Sequence, residues 1–235
     1  MTKISVCIAT YNGSKYIRRQ LDTILQQLHG DYEVIISDDS SSDDTLDIVK
    51  SYNNSHIIIL PNQKFRNPIY NFENALKHAS GDLIFLSDQD DIWQPTKVEK
   101  AMAALNNCDI VLSDCSIIDA EGNVIEESFF RINGSGRGFF KNLWKNSYLG
   151  CCLAFRKEVL KKAIPFPKDI PMHDWWLGII SETFYRITII NEQLISYRRH
   201  GVNATPTGEV SNFPYWDRLG FRLALIKGIF RAWVR

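Results

Sequence analysis

Three carboxylates within four residues, Asp88, Asp90 and Asp91, form the densest group of chemically useful side chains in the sequence. They follow the apolar run at residues 83–86, which predicts a strand covered on both faces. Adjacent carboxylates repel one another unless a cation, a hydrogen-bond donor or solvent compensates their charge. The spacing leaves two interpretations open: a site for a hard divalent cation, or an acidic surface turn in which Asp91 caps the next helix.

Strands and amphipathic helices alternate along the first hundred residues. The predicted strands lie at residues 4–9, 33–37, 57–60 and 83–86, and the predicted helices at residues 16–28, 46–52 and 69–79. Strands joined by helices form parallel sheets with right-handed crossovers. We therefore predict an α/β fold with a Rossmann-like, mostly parallel central sheet flanked by helices.

Ligands bind open α/β sheets at the carboxyl ends of the strands. Asp38 and Asp39 follow the second predicted strand, so they belong to the same edge as the cluster at residues 88–91. No Gly-x-Gly-x-x-Gly follows the first strand and no Gly-Lys-Ser/Thr loop occurs. A nucleotide bound at this edge must therefore be held by side chains and a metal ion.

Composition and charge exclude several classes of function. The 27 basic residues balance the 27 acidic ones, so no global field favours nucleic acid as a partner. Five cysteines without a Cys-x-x-Cys pair argue against a disulfide framework and a structural zinc site. The sequence has neither a signal-peptide core nor an apolar run long enough to span a membrane. We expect a cytoplasmic protein.

The pattern becomes less regular after the acidic cluster. The predicted elements are helices at residues 98–105, 139–144, from Lys157 and at 175–184, strands at 109–113, 152–155, 187–190 and 194–197, and a hairpin over 115–127. The glycine-rich residues 133–138 are either a plain linker or a lid over the substrate. This half therefore mixes short elements with long connections.

The last segment, residues 213–235, predicts an amphipathic helix. Its apolar residues recur at spacings of three and four and are Trp216, Leu219, Leu223, Ile226, Phe230 and Trp233. Arginine and lysine lie between them. The helix either packs on the domain or lies at a membrane surface. In the second case the protein is peripheral on the inner face of the cytoplasmic membrane.

Five motifs follow one another in a recognisable order, at residues 5–12, 37–45, 86–91, 150–155 and 173–176. In this order they resemble glycosyltransferase family 2, the inverting enzymes of the GT-A fold that use nucleotide-sugar donors. The resemblance runs from Lys3 to about Asn203. It implies a GT-A domain at residues 1–203, which consists of a nucleotide-sugar-binding half (1–107) and an acceptor-binding half (108–203). The amphipathic tail (204–235) follows this domain.

The resemblance also implies roles for individual residues. Asp39 takes the place of the aspartate that binds the pyrimidine base, Tyr11 flanks the ring, and Asp88 faces the ribose. The implied nucleotide-sugar-binding residues are Ala9, Thr10, Tyr11, Asn12, Asp38, Asp39, Asp88 and Gln89. Asp90, Asp91 and His200 would hold Mn²⁺ or Mg²⁺, hard cations that suit oxygen-rich sites.

Asp174 lies where the family keeps its catalytic base, and it can also cap the helix that begins there. His173 departs from the family, which usually has an acid in that position. The implied acceptor-binding residues are Gly150, Cys151, His173, Trp175 and Trp176. The two tryptophans are either core residues or platforms on which a sugar stacks.

The implied activity is transfer of one sugar to a hydroxyl of a lipid-linked or growing cell-surface polysaccharide. The motif at residues 86–91 is most similar to the rhamnosyltransferase-like branch, which favours dTDP-rhamnose as the donor over a UDP-hexose. One alternative is a GT-A-like protein that binds carbohydrate without turnover. The other is a haloacid-dehalogenase-type phosphohydrolase, which needs its Asp-x-Asp pair after the first strand, whereas here the pair follows the fourth.

Overall fold

The computed structural model describes residues 2–200 and 214–234. In the first half, strands and helices alternate as predicted. The strands are β1 (Ile4–Thr10), β2 (Tyr32–Asp38), β3 (Ile57–Leu60) and β4 (Leu83–Ser87), and the helices are α1 (Ile17–Leu25), α2 (Thr45–Lys50) and α3 (Pro68–His78). The strands are parallel and lie in the order β3-β2-β1-β4. Their carboxyl ends therefore meet at one edge.

Burial explains why these elements form where the sequence predicts them. All five residues of β4 are buried, as expected for an apolar strand covered by helices on both faces. In α1, Ile17, Leu21 and Ile24 are fully buried, so one face of the helix packs on the sheet. Burial of each such side chain contributes about 1.5–3 kcal/mol.

The second half continues the same sheet, which therefore crosses the boundary at residue 107 between the two predicted halves. Its elements are β5 (Ile92–Trp93), α4 (Lys97–Leu105), β6 (Ile110–Ile118), β7 (Val124–Glu126), α5 (Phe129–Asn133), α6 (Phe139–Trp144), β8 (Leu153–Arg156), α7 (Leu160–Ala163), α8 (His173–Phe184), β9 (Ile187–Arg198) and α9 (Tyr215–Val234). β8 lies antiparallel between β4 and β6, while β6 pairs with β9 in parallel. Most paired residues belong to parallel ladders, which confirms the predicted fold class.

The strands predicted at residues 187–190 and 194–197 are one continuous strand, β9. The polar residues between them cross a register shift against β6, so the strand continues although its apolar pattern is interrupted. The short elements β5 and α5 were not predicted. The backbone N–H of Phe130 in α5 donates to Asp114 on β6, and a short helix that depends on such a contact has no periodic signal.

The tail helix α9 packs on the domain through a face that differs from the predicted apolar stripe. Leu225, Gly228 and Ala232 are buried, and a Cβ at Gly228 would lie 2.6 Å from Cζ3 of Trp176. Lys162 Nζ donates to the carbonyl of Ala232 at 2.8 Å. Among the described residues, no helix has the length and apolarity that crossing a bilayer requires.

Candidate active site

A cleft of about 1100 Å³ lies at the carboxyl ends of β1, β2 and β4, and the segments around Gly150 and Asp174 supply its other wall. The predicted site residues that line it are Ala9, Thr10, Tyr11, Asn12, Asp39, Asp88, Gln89, Asp90, Gly150, His173, Asp174 and His200. Asp38, Asp91, Cys151, Trp175 and Trp176 do not line it. The cleft thus combines residues from both halves of the chain.

Asp39 lies at the end of the cleft that β1 and β2 form. Its Oδ1 accepts a hydrogen bond from the backbone N–H of Phe65 at 2.7 Å, and its Oδ2 accepts one from that of Asn67 at 3.2 Å. These bonds hold the loop after β3 against the cleft. Tyr11 is 59% exposed at the same end, so its ring can stack on a planar ligand.

Asp38 is buried and fastens the loops beneath the cleft. Its Oδ2 accepts hydrogen bonds from the hydroxyls of Thr10 at 2.8 Å and Ser41 at 2.6 Å. The contact between Asp38 and a nucleotide stays a prediction, and these bonds favour a structural role.

The loops after β1 and β4 are joined by Gln89. Its Oε1 accepts from the backbone N–H of Tyr11 at 2.9 Å, and its Nε2 donates to the carbonyl of Tyr11 at 3.0 Å. Gly13 leaves room for the Gln89 amide, because a Cβ at this position would collide with that side chain as it lies in the structure. Asn12 has a backbone φ of 49° and its Oδ1 accepts from the N–H of Ser42 at 2.8 Å. The turn after β1 is therefore fixed by hydrogen bonds.

Three exposed basic residues, Lys15, Lys64 and Arg66, line the cleft beside the acidic groups. They place positive charge on its walls, where it can attract an anionic ligand such as a diphosphate. They were not predicted from the sequence, because isolated basic residues in loops have neither a periodic nor a motif signal.

Asp88 and Asp90 face the cleft together with His200. Asp90 Oδ2 lies 2.7 Å from His200 Nε2, and the His200 ring stacks on Tyr16. Burial and the nearby Asp90 carboxylate raise the pKa of Asp88 to about 8, and burial also raises the pKa of Asp90. Such crowding costs free energy that a bound cation would relieve.

Asp91 lies beneath the cleft and is buried. Its Oδ1 accepts from the backbone N–H of Arg198 at 2.9 Å. β5 follows it directly and Thr96 is the N-cap of α4, so the helix-cap interpretation of Asp91 is wrong. The buried Lys97, whose Nζ donates to the carbonyl of Cys151 at 3.0 Å, supplies positive charge near this carboxylate. Lys97 was missed because it looks like an ordinary surface lysine of a helix.

Two groups of side chains can be tested for their fit to Mn²⁺ or Mg²⁺. Asp90 and His200 both line the cleft, where oxygen atoms of a ligand can complete a coordination shell. Asp88, Asp91 and Cys151 each offer a ligand atom within 4.8 Å of the others. A hydrogen bond to its neighbouring cysteine and burial raise the pKa of the Cys151 thiol well above its ordinary value, and a protonated thiol is a poor ligand for a hard cation. The donor atoms therefore favour Asp90 and His200.

Asp174 is the second residue of α8, and Met172 rather than Asp174 is the N-cap of that helix. Its Oδ1 accepts from the backbone N–H of Trp175 at 2.5 Å and from Nδ2 of Asn146 at 3.3 Å. Burial raises the pKa of Asp174 to about 7, although these hydrogen bonds oppose the shift. A carboxylate with this pKa can take up a proton near neutral pH, as a general base must.

His173 is buried and stacks on Phe72, with ring centroids 4.1 Å apart. Among the described residues, neither of its ring nitrogens has a hydrogen-bond partner. Burial lowers the pKa of His173 to about 3, so the ring is neutral and keeps one donor and one acceptor. A Cβ at Gly150 would lie 2.6 Å from His173 Nε2. The absence of a side chain at Gly150 therefore leaves room for the His173 imidazole in this wall of the cleft.

Residues 138–148 hold the wall around Asp174 in place. Asn142 is buried, and its Nδ2 donates to Glu182 Oε1 on α8 at 3.1 Å. The same carboxylate oxygen accepts from the Gly138 N–H and from the Tyr148 hydroxyl, each at 2.8 Å. The glycine-rich segment is thus tied to α8 at its end. Asn142, Tyr148 and Glu182 were not predicted from the sequence, because such contacts join residues far apart in the chain.

Trp176 belongs to the core, since it is fully buried and its Nε1 donates to the carbonyl of Ala163 at 2.9 Å. Trp175 is half-buried, and its Nε1 donates to the carbonyl of Asn142 at 2.5 Å. Cys151 is buried against Lys97. The acceptor contacts of these three residues stay predictions, and their positions favour packing roles.

The family model described as "Glycosyl transferase family 2" matches residues 5–164 of the chain. The dTDP-rhamnosyl transferase RfbG of Shigella flexneri is 33% identical over 83% of this chain and 72% of its own length. The UDP-Glc:alpha-D-GlcNAc-diphosphoundecaprenol beta-1,3-glucosyltransferase WfgD of Escherichia coli is 28% identical over 92% of this chain and 85% of its own length.

Two solved structures have a similar fold. S. aureus TarS in complex with UDP-GlcNAc gives a TM-score of 0.73 at 22% identity and covers 95% of this chain. The mannosyltransferase PcManGT of Pyrobaculum calidifontis, in complex with GDP-Man and Mn²⁺, gives a TM-score of 0.61 at 18% identity, over 99% of this chain and 73% of its own. The chain spans 66% of the TarS chain. These likenesses confirm the predicted GT-A fold.

Proposed function

Because the chain belongs to glycosyltransferase family 2, we propose that it moves one sugar from a nucleotide diphosphate sugar to a hydroxyl group, with inversion at the anomeric carbon. One observation carries this proposal: Asp39, Asp90 with His200, and Asp174 line the same cleft. Asp39 can bind the nucleobase, Asp90 with His200 can hold the diphosphate through a cation, and Asp174 can accept a proton.

Asp174 acts as the general base of this reaction. It takes the proton from the acceptor hydroxyl while the acceptor oxygen forms its bond to the anomeric carbon. The bond from that carbon to the diphosphate oxygen breaks, and the nucleoside diphosphate leaves. A positioned general base contributes about 10²–10⁴-fold to such a rate. Burial of Asp174 and its pKa of about 7 support this role.

The donor is held from both sides of the cleft. Asp39 accepts a hydrogen bond from the nucleobase, Tyr11 flanks the nucleobase ring and Asp88 faces the ribose. Lys15 and Arg66 offset the negative charge of the diphosphate. A divalent cation held by Asp90 and His200 would add Lewis-acid stabilisation of the departing diphosphate. The chemistry of the donor atoms and the crowding of Asp88 and Asp90 support a cation at this place.

The donor is dTDP-rhamnose or a UDP-hexose, and the acceptor is a lipid-linked or growing cell-surface polysaccharide. Similarity to RfbG supports the first donor, and similarity to WfgD supports the second together with a lipid-linked acceptor. This acceptor places the reaction at the inner face of the cytoplasmic membrane, with α9 as a peripheral contact.

A thermal-shift screen of nucleotide sugars, with and without Mn²⁺, tests the proposal. A ligand that binds the folded state raises the melting temperature by mass action, so we expect one donor class to do so strongly and to need the cation. The stabilising donor is then offered to lipid-linked acceptors in a transfer assay. Binding without any transfer or donor hydrolysis would favour the carbohydrate-binding alternative, and no stabilisation by any nucleotide sugar would refute the proposal.

A further inference from the structure

Two helices carry large aromatic side chains that point into solvent. Phe140 and Trp144 on α6, and Trp216, Phe230 and Trp233 on α9, are between 67% and 82% exposed. Soluble proteins tolerate single exposed apolar residues, but a cluster of this size on neighbouring helices marks an interaction surface.

One face of α9 is buried against the domain, and another face is exposed to solvent. Leu225, Gly228 and Ala232 face the domain and are buried. Trp216, Leu219, Leu223, Phe230 and Trp233 recur at spacings that place them together on another face of the helix, and all five are exposed. Packing on the domain therefore leaves the apolar stripe of this helix open to a further contact.

α6 joins this stripe through Arg222 of α9. The Arg222 guanidinium lies over the Trp144 ring, 4.6 Å from its centroid, and Arg222 Nη2 donates to the carbonyl of Trp144 at 2.6 Å. Phe140 lies one helical turn before Trp144. The exposed side chains of α6 and the stripe of α9 thus form one aromatic surface, made of Phe140, Trp144, Trp216, Leu219, Leu223, Phe230 and Trp233.

The charged side chains of α6 and α9 are almost all positive. The basic residues of the two helices are Lys141 on α6 and Arg218, Arg222, Lys227 and Arg231 on α9. Across the described part of these helices, the acidic residue is Asp217. Aromatic and cationic side chains together match the interface of an anionic phospholipid membrane. A second copy of the chain would instead bring like charges together.

The aromatic surface is also close to Asp174. Only Lys145 separates Trp144 from Asn146, and Asn146 Nδ2 donates to Asp174 Oδ1 at 3.3 Å. The Trp175 ring N–H donates to the carbonyl of Asn142, in the middle of α6. A membrane that contacts α6 would therefore lie beside the wall of the cleft that carries the candidate base.

We propose that α6 and α9 together form a docking surface for an anionic phospholipid bilayer, and that docking turns the wall of the cleft that carries Asp174 toward the lipid. The second part rests on the proposed function, since it assumes that the acceptor meets Asp174. The first part concerns binding alone and is tested without any substrate.

Flotation of the chain with lipid vesicles tests the docking surface. Vesicles of phosphatidylcholine mixed with phosphatidylglycerol are compared with vesicles of phosphatidylcholine alone. The α6 variant carries Phe140→Ser and Trp144→Ser, and the α9 variant carries Trp216→Ser, Phe230→Ser and Trp233→Ser. The control carries Val124→Ser and Ile125→Ser, which remove two half-exposed apolar residues from β7. Circular dichroism and the melting temperature without added ligand verify that each variant is folded.

We expect the wild-type chain and the control to float with the anionic vesicles, and each helix variant to lower the partition coefficient by roughly tenfold or more. High salt and neutral vesicles should also weaken binding. Wild-type flotation of the α6 variant, or equal binding to both vesicle types, would overturn the proposal. So would a wild-type chain that does not float and forms dimers which the α9 variant loses.

The Asp174→Asn variant distinguishes a failure of the docking surface from a failure of the proposed function. The variant should float like the wild type, because Asp174 lies outside the aromatic surface. If it floats and still transfers sugar, the assigned base is wrong while the docking surface stands.

Discussion

The two walls of the cleft are built by different kinds of contact. On the first wall, Asp39, Asp88 and Asp90 each follow a parallel strand within three residues. On the second wall, Asp174 is held by Asn146, in a segment that Glu182 ties to α8. Backbone register therefore places the first group, whereas a chain of side-chain hydrogen bonds between distant residues places the second.

Substitutions on the two walls should therefore have different effects. Changes on the first wall remove contacts to a ligand but leave the strands that carry them intact. Changes on the second wall alter the position or the pKa of one reacting group. We therefore expect a change of Asp39 on the first wall to weaken donor binding, and a change of Asp174 on the second wall to lower turnover.

Asp174→Asn should give the largest effect. An amide cannot accept the proton of the acceptor hydroxyl, so we expect kcat to fall by about 10²–10⁴-fold while the Kd for the donor stays within about twofold. Single-turnover transfer and calorimetric titration measure the two quantities. Asp169→Asn, at an exposed aspartate shortly before α8, is the matched control and should leave both unchanged. If the D174N variant keeps its turnover, Asp174 is not the general base.

Asp39→Asn should weaken donor binding by about 10–100-fold, the value of a charged hydrogen bond of roughly 1.5–3 kcal/mol. We expect kcat at saturating donor to change little, because the role proposed for Asp39 is to bind the nucleobase rather than to take part in the reaction. Titration with the donor and initial-rate kinetics verify this, with the exposed Asp44 as the control in Asp44→Asn. A fall in kcat without a change in Kd would contradict the division between the walls.

The pH dependence of sugar transfer should report the ionisation of Asp174 on the second wall. The pKa of Asp174 is raised to about 7, so the base is protonated below that pH and kcat/KM should rise with pH until it levels off above it. The ionisable groups that act on it include Asp88 and Cys152, while its neighbour His173 is neutral.

Asn146→Ala removes a donor to the ionised carboxylate of Asp174, so it should raise this pKa and move the acid limb to higher pH. The profile of kcat/KM against pH measures the shift. Asn107→Ala, at an exposed residue after α4, is the control. A shift to lower pH, or an unchanged profile, would show that Asn146 does not act on Asp174.

Glu33→Gln should change stability and leave activity unaltered, because Glu33 lies at the opposite edge of the sheet from the cleft. Although burial opposes the shift, hydrogen bonds from Ser5 and Ser80 and the ammonium of Lys3 lower its pKa from 4.5 to about 2. The ionised group therefore stabilises the fold above about pH 4.5, and this contribution is lost as the pH falls through about 2.

We expect the Glu33→Gln variant to lose about 1–3 kcal/mol of unfolding free energy at neutral pH. Denaturation series at several pH values measure this loss, with the exposed Glu99→Gln on α4 as the control. A loss that stays constant down to pH 2, or any change in kcat, would contradict this separation between fold and site.

The same contrast explains how much the sequence could predict. Apolar runs and helical periodicity locate β1 to β4, and a carboxylate after a strand end is visible in the sequence as a candidate ligand group. The burial of Asp91 beneath the cleft was not predictable, because it depends on a hydrogen bond from the backbone N–H of Arg198, which lies on a strand distant in the sequence. Asn142, Asn146 and Glu182 were missed for the same reason, and the single strand β9 was divided in two because polar residues cross its register shift.

We infer that one cleft holds a cation-dependent donor site on the first wall and a general base on the second. Calorimetric titration of the stabilising nucleotide sugar into wild type, Asp90→Ala and Asp174→Asn, each with and without Mn²⁺, tests it most directly. We predict that Mn²⁺ tightens binding to the wild type and to Asp174→Asn, and has no effect on Asp90→Ala. Tightening by Mn²⁺ that survives in Asp90→Ala, or is lost in Asp174→Asn, would contradict the claim.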